Sequence, residues 1–125
     1  MKYLIFLFVF VFFCTYIYGD LSNQKDITQQ NKKYGEQLFK ANCGNCHKSD
    51  KDFTGPALRG SLLRWGYNKK AMYAFIRNPA KSISENAYAK KHYKKWKGGG
   101  MMTGFPQLSD KDLDAIMSYC DPILK

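Results

Sequence analysis

The five residues Cys43-Gly44-Asn45-Cys46-His47 hold the types and spacing with the most chemistry in this chain. Cys-x-x-Cys-His is the attachment signature of a c-type haem: each thiol joins one haem vinyl group as a thioether, and the adjacent histidine offers the iron an axial nitrogen. Competing chemistries fit less well. A dithiol–disulfide redox pair normally caps a helix beside a βαβ sheet, and no alternation of strand and helix signals surrounds this motif. A structural zinc site needs further ligands, and only the distant His92 and Cys120 are there to supply them. A plain Cys43–Cys46 bridge closes so short a loop that it stabilises little.

An iron held on one face by His47 leaves its other face to explain, and the candidates are Met101, Met102, His92 or an open site. Met101 and Met102 follow Gly98-Gly99-Gly100 and precede Thr103-Gly104-Phe105-Pro106, a loop in which a thioether can turn inward free of helix constraints. Met72 and Met117 fall in helical patterns and read as core filling. His92 sits within a lysine-rich helical pattern and reads as a surface or packing histidine.

Before these residues the chain runs Met1-Lys2-Tyr3, then a run of apolar residues from Leu4 to Phe13, and reaches Gly19-Asp20. One cation, an apolar run and a small residue make residues 1–19 a secretory signal peptide cut between Gly19 and Asp20; the alternative is an uncleaved anchor, although Tyr3 to Tyr18 is slightly short for a membrane span. Cys14 follows two phenylalanines rather than a small residue, which argues against lipidation. Residues 20–29 are polar, without periodicity, and read as a flexible leader, leaving 30–125 as one small domain. A single core of that size gains from a buried prosthetic group. Formal net charge is +10, and removing a leader whose only charge is Lys2 leaves +9. That balance calls for an acidic partner surface, and export excludes nucleic acid. The cations are uneven, with Lys90, Lys91, Lys94, Lys95 and Lys97 crowded among Tyr88, His92, Tyr93 and Trp96.

The elements that must position these groups all read as helices. Tyr34, Leu38, Phe39 and Ala41 fall at helical spacing and predict a first helix over 29–41 that delivers the chain to Cys43. Gly35 lies on its inner face, where a glycine costs about 1 kcal/mol relative to alanine and so needs a reason, such as another helix crossing closely there. Residues 48–53 read as a polar loop ending in the Gly55-Pro56 turn. Asn68 is placed to cap a helix that must end near Asn78, before Pro79. Ser84 is placed to cap another from Glu85 to Trp96, stopped by the triple glycine. The last helix is the plainest: Ser109 and Asp112 form a capping-box pair, Asp110, Asp112 and Asp114 complement its dipole, Leu113, Ile116, Met117 and Cys120 line one side, and Pro122 closes it. No strand pattern competes, so the fold class is all-α.

Taken together, Cys43-Gly44-Asn45-Cys46-His47, Gly55-Pro56-Ala57-Leu58, Met102-Thr103-Gly104-Phe105 and Leu108-Ser109-Asp110 resemble class I, mono-haem cytochrome c over nearly the whole mature sequence. The resemblance implies a small helical domain wrapped around one covalently attached haem c, with the N- and C-terminal helices crossing. It implies cofactor contacts from Cys43, Cys46, His47, Pro56 and Met102, with His47 and Met102 on the iron. Met101 is the second choice, because Thr103 stands where the family commonly has proline. Gly35 and Phe39 would meet Ile116 and Tyr119 at the helix crossing, Cys120 would be a small core residue, and the Pro56 carbonyl would accept a hydrogen bond from His47. Arg64 and Trp65 would approach a haem propionate.

With both axial positions filled the iron cycles between ferric and ferrous states, so the expected function is a periplasmic or otherwise exported electron carrier rather than an enzyme. Its expected partners are redox proteins with acidic docking surfaces, and membrane association would come only through an uncleaved N-terminal segment. The alternatives are a subunit through which electrons pass into a larger oxidoreductase, or a haem enzyme or sensor with a labile sixth ligand. A single haem motif and the lack of a nameable distal acid–base group weigh against the last.

Overall fold

The computed structural model describes residues 28–121, so the expected signal peptide, most of the leader and Pro122 lie outside the described residues. The chain divides into two compact units, Met1–Asn31 and Lys32–Lys125. In the first, residues 28–31 are helical and exposed. The second holds the core. Its elements are α1 (helical over 28–42, of which 32–42 belong to this unit), α2 (Ser61–Arg64), α3 (Lys69–Arg77), α4 (Pro79–Glu85), α5 (Ala87–Trp96), a 3-10 turn (Lys97–Gly99) and α6 (Asp110–Cys120). Among the described residues there is no strand, and no helix is long and apolar enough to cross a membrane.

Local capping explains where these helices begin. Asn68 Oδ1 accepts from the Ala71 N–H at 3.0 Å and starts α3. Asn78 ends α3 and at once caps α4, its Oδ1 accepting from Lys81 N–H at 3.0 Å, while Pro79 occupies the first helical position, where no N–H is needed. Asn86 repeats the device for α5, accepting from Ala89 N–H at 3.0 Å. The expected Ser84 cap is therefore corrected: Ser84 lies inside α4, its hydroxyl donates back to the Lys81 carbonyl at 2.7 Å, and α5 starts at Ala87. The capping box of α6 is complete, with Asp112 N–H donating to Ser109 Oγ at 3.2 Å and Ser109 N–H donating to Asp112 Oδ2 at 2.9 Å.

The core gathers Phe39 from α1, Leu62 from α2, Met72 and Tyr73 from α3, Leu108, and Leu113, Ile116, Met117 and Cys120 from α6. At the α1–α6 crossing a Cβ on Gly35 would lie 1.9 Å from the Ala115 carbonyl oxygen, so the close approach implied by that glycine is there. Phe39 and Tyr119 stack at a tilt beside it, centroids 5.4 Å apart. Tyr34 and Ala41 are exposed rather than on the inner face; Tyr34 instead donates its hydroxyl to Asp112 Oδ1 at 2.6 Å. Cys120 is fully buried, its thiol pushed up to about 12 by burial and donating to the Ile116 carbonyl at 3.0 Å, as a core residue should. Polar ties hold α3 to α6: Tyr73 donates to Asp114 Oδ1 at 2.6 Å, and Arg77 reaches the Leu108 carbonyl at 2.7 Å and Asp110 at 2.5 Å.

Candidate functional site

The motif begins where α1 unwinds. The N–H groups of Cys43 and Gly44 both donate to the Phe39 carbonyl at 2.8 Å, and His47 N–H donates to the Cys43 carbonyl at 2.9 Å, so a tight turn presents both thiols and the imidazole together. Residues 48–59 fold back over this turn, with Gly55 N–H donating to the Cys46 carbonyl at 2.8 Å and Leu58 N–H to the Lys48 carbonyl at 3.0 Å. The fold-back fixes the imidazole. Its Nδ1 is 2.8 Å from the Pro56 carbonyl, an acceptor only, so Nδ1 carries the proton and Nε2 keeps its lone pair for a metal. Gly55 lies flat on the ring: a Cβ there would sit 2.5 Å from His47 Cε1.

A second loop closes the opposite end of the same cavity. Gly99 packs so closely that a Cβ would be 2.7 Å from the Thr54 carbonyl oxygen, and Gly104 so closely that one would be 2.7 Å from the Arg77 carbonyl oxygen. Phe105 N–H donates to the Ile76 carbonyl at 3.0 Å and pins the loop's far side. Gly100 has φ 85°, a left-handed turn open to glycine, just before Met101 and Met102.

These loops enclose two adjoining lobes of about 370 Å³ and 80 Å³. Cys43, His47, Pro56, Phe75, His92 and Met102 line both. Met101 and Cys46 line the larger lobe only and are exposed, marking where the cavity opens to solvent. Arg64, Trp65 and Ser61 line the inner lobe. Burial pushes the Cys43 thiol up to about 11. Burial also holds the His92 imidazole below its usual range, helped by the cations Arg64 and Lys95 and by His47.

A c-type haem fits this site by its donor set and by its wall. Two thiols and an imidazole with a free Nε2 stand at one side, and a methionine lines both lobes from the other loop. Among the described residues no carboxylate lines either lobe, whereas Arg64, Trp65 and the Ser61 hydroxyl do. Ser61 Oγ is buried without a hydrogen-bond partner, an arrangement that calls for a ligand acceptor such as a haem carboxylate. Sequence reasoning did not find Ser61 or Phe75 as wall residues, and nothing local marks them. His92 had a readable signal: Tyr88, His92 and Trp96 recur every four residues and share one face of α5.

A covalently held haem between a histidine loop and a methionine loop defines a class, the mono-haem c-type cytochromes. The chain belongs to the cytochrome c family, whose model matches residues 32–121. A solved cytochrome c from Rhodothermus marinus is similar at 33% identity and a TM-score of 0.58, over 74% of this chain and 75% of that one. No curated protein sequence matches the chain. Membership makes this an all-α electron-transfer protein with one covalently bound haem c.

Proposed function

We propose that the protein is an exported single-electron carrier whose haem iron is held by His47 and Met102, and which meets acidic redox partners through the lysines of α5. The observation that carries the reading is the cavity lined on both lobes by His47, with its Nδ1 committed to Pro56, and by Met102 on the glycine loop. When bound there, haem supplies a one-electron ferric–ferrous couple. The chain's part is to keep that couple free of other chemistry. Pro56 and Gly55 hold the imidazole in one tautomer and one orientation, and the anchored Gly104–Phe105 segment holds the methionine loop against α3. A mainly apolar wall, with no carboxylate among the described residues, disfavours the extra ferric charge, and a thioether ligand favours ferrous iron, so both push the potential upward. Cys43 and Cys46 would fix the haem edge, with Cys46 at the solvent-facing rim where an electron can leave.

Lys90, Lys91, Lys94 and Lys95 are all exposed on α5, which runs into the methionine loop. Cations so placed attract an acidic partner over about 8 Å at physiological ionic strength and raise its encounter rate more than its affinity.

The axial ligands are tested in ferric protein carrying haem. His47–Met102 ligation gives the weak near-infrared sulfur-to-iron charge-transfer band; Met102→Ala should abolish it and Met101→Ala should leave it. The reverse pattern would move the ligand to Met101.

A further inference from the structure

Met102 shares the cavity with a second group able to bind iron. His92 lines both lobes, as Met102 does, and among the described residues its ring has no hydrogen-bond partner. The ring stacks on Tyr88, centroids 5.7 Å apart and planes 15° apart. Tyr88 in turn tilts against Trp65 at 4.8 Å, so the imidazole plane is held from behind. Ala89, fully buried, seats α5 on the body of the protein.

The methionine loop is held differently along its length. Its far end is fixed by Gly104 against Arg77 and by Phe105 N–H on the Ile76 carbonyl. Its near end is held at Gly99, which packs on the Thr54 carbonyl, but beyond it the chain is open: a Cβ on Gly100 would meet nothing within 4 Å, and Met101 is 53% exposed. The room for Met102 to withdraw therefore lies at Gly100 and Met101, between the packed Gly99 and the anchored Gly104. His92 and Met102 lie on one continuous stretch of chain along the cavity wall, from α5 through Trp96 and Gly99 to the loop.

Resting on the His47–Met102 reading above, we propose that His92 is a second distal iron donor, which takes the sixth position whenever Met102 is withdrawn. In that exchange an iron–thioether bond breaks and an iron–imidazole bond forms. No electron moves, and no proton moves, since a neutral thioether leaves and a neutral imidazole enters through its lone pair. Imidazole is the harder donor and suits ferric iron, whereas thioether suits ferrous iron, so the exchange belongs to the oxidised state. The consequence is a carrier whose iron stays six-coordinate and closed to small anions even when its methionine loop opens.

The test compares ferric Met102→Ala with Met102→Ala/His92→Leu, both carrying haem, by electron paramagnetic resonance, near-infrared absorption and azide titration. The single variant should lose the sulfur-to-iron band yet remain low-spin with a bis-imidazole signature. The double variant should become high-spin, bind azide at least about tenfold more tightly because no His92 has to be displaced, and return to low-spin on adding imidazole. A single variant that is already high-spin and binds azide as tightly as the double overturns the role of His92 while leaving Met102 as the ligand. Low-spin spectra in both variants overturn it too, since another residue is then the donor. A sulfur-to-iron band that survives Met102→Ala overturns the His47–Met102 reading itself, and with it the exchange.

Discussion

Gly35→Ala is the sharpest test of how the first and last helices position the haem motif. A methyl group at that position would sit 1.9 Å from the Ala115 oxygen, 2.4 Å from its carbonyl carbon and 3.1 Å from Ile116 N, all backbone atoms that no side-chain rotation can move. Normal contact at about 3.5 Å requires the helices to part by about 1.6 Å. That loosens Phe39 from Tyr119 and opens the packing around Ile116, a forced-overpacking cost of about 1–3 kcal/mol. Against this stands the better helix propensity of alanine, worth about 1 kcal/mol. The crossing dominates because its strain cannot be relieved locally, and a net loss of about 1 kcal/mol is expected. With a guanidinium dependence of about 3 kcal/mol per molar for a domain of this size, the unfolding midpoint of the haem-loaded protein should fall by roughly 0.3 M. Gly98→Ala, where a Cβ meets nothing within 4 Å, is the matched control and should shift the midpoint little. A Gly35→Ala protein as stable as the parent, or more stable, would refute the crossing.

At the other glycine contact, Gly55→Ala drives a Cβ to 2.5 Å from His47 Cε1 and should lower the yield of low-spin holoprotein, read from the ratio of Soret absorbance to total protein. Ser109→Ala removes the hydroxyl of the α6 capping box and should cost about 1 kcal/mol in denaturant unfolding. The Tyr34 hydroxyl, followed by Ser109, holds the Asp112 carboxyl below its usual range. A depressed folded-state value adds stability above the unfolded carboxyl range and loses it as pH falls through the folded value, so Tyr34→Phe should weaken the protein slightly at neutral pH and match the parent in acid. Replacing Lys91, Lys94 and Lys95 with glutamine should slow oxidation by ferricyanide, an anionic probe, flatten its salt dependence and leave the optical spectrum unchanged. A rate indifferent to both salt and these substitutions would place the positive face elsewhere.

What could be read in advance was local. Asn68 and Ser109 each cap the helix a few residues ahead of them, so their hydrogen bonds follow from spacing alone. Gly35 announced a crossing because a glycine inside a helix needs a reason, although its partner Ala115 lies far along the chain. Pro79 misleads for a physical reason: it does stop α3, but with Asn78 as cap it also opens α4 in the same step. Ser84 and Asn86 are two eligible caps two residues apart, and the choice between them depends on where α4 ends. The motif and its histidine were legible because their chemistry lies within five consecutive residues. Part of the wall was not. Ser61 and Phe75 join it only after α2 and α3 fold around the cavity, and no spacing in the chain encodes that.

Denaturing mass spectrometry of protein made with haem-attachment machinery tests the central claim most directly, since the whole site is built to present Cys43 and Cys46 to one haem. The intact chain should carry the mass of one haem, which acidified organic solvent does not extract and which Cys43→Ala/Cys46→Ala abolishes. A chain at its unmodified mass, or haem that leaves with the solvent, would contradict it.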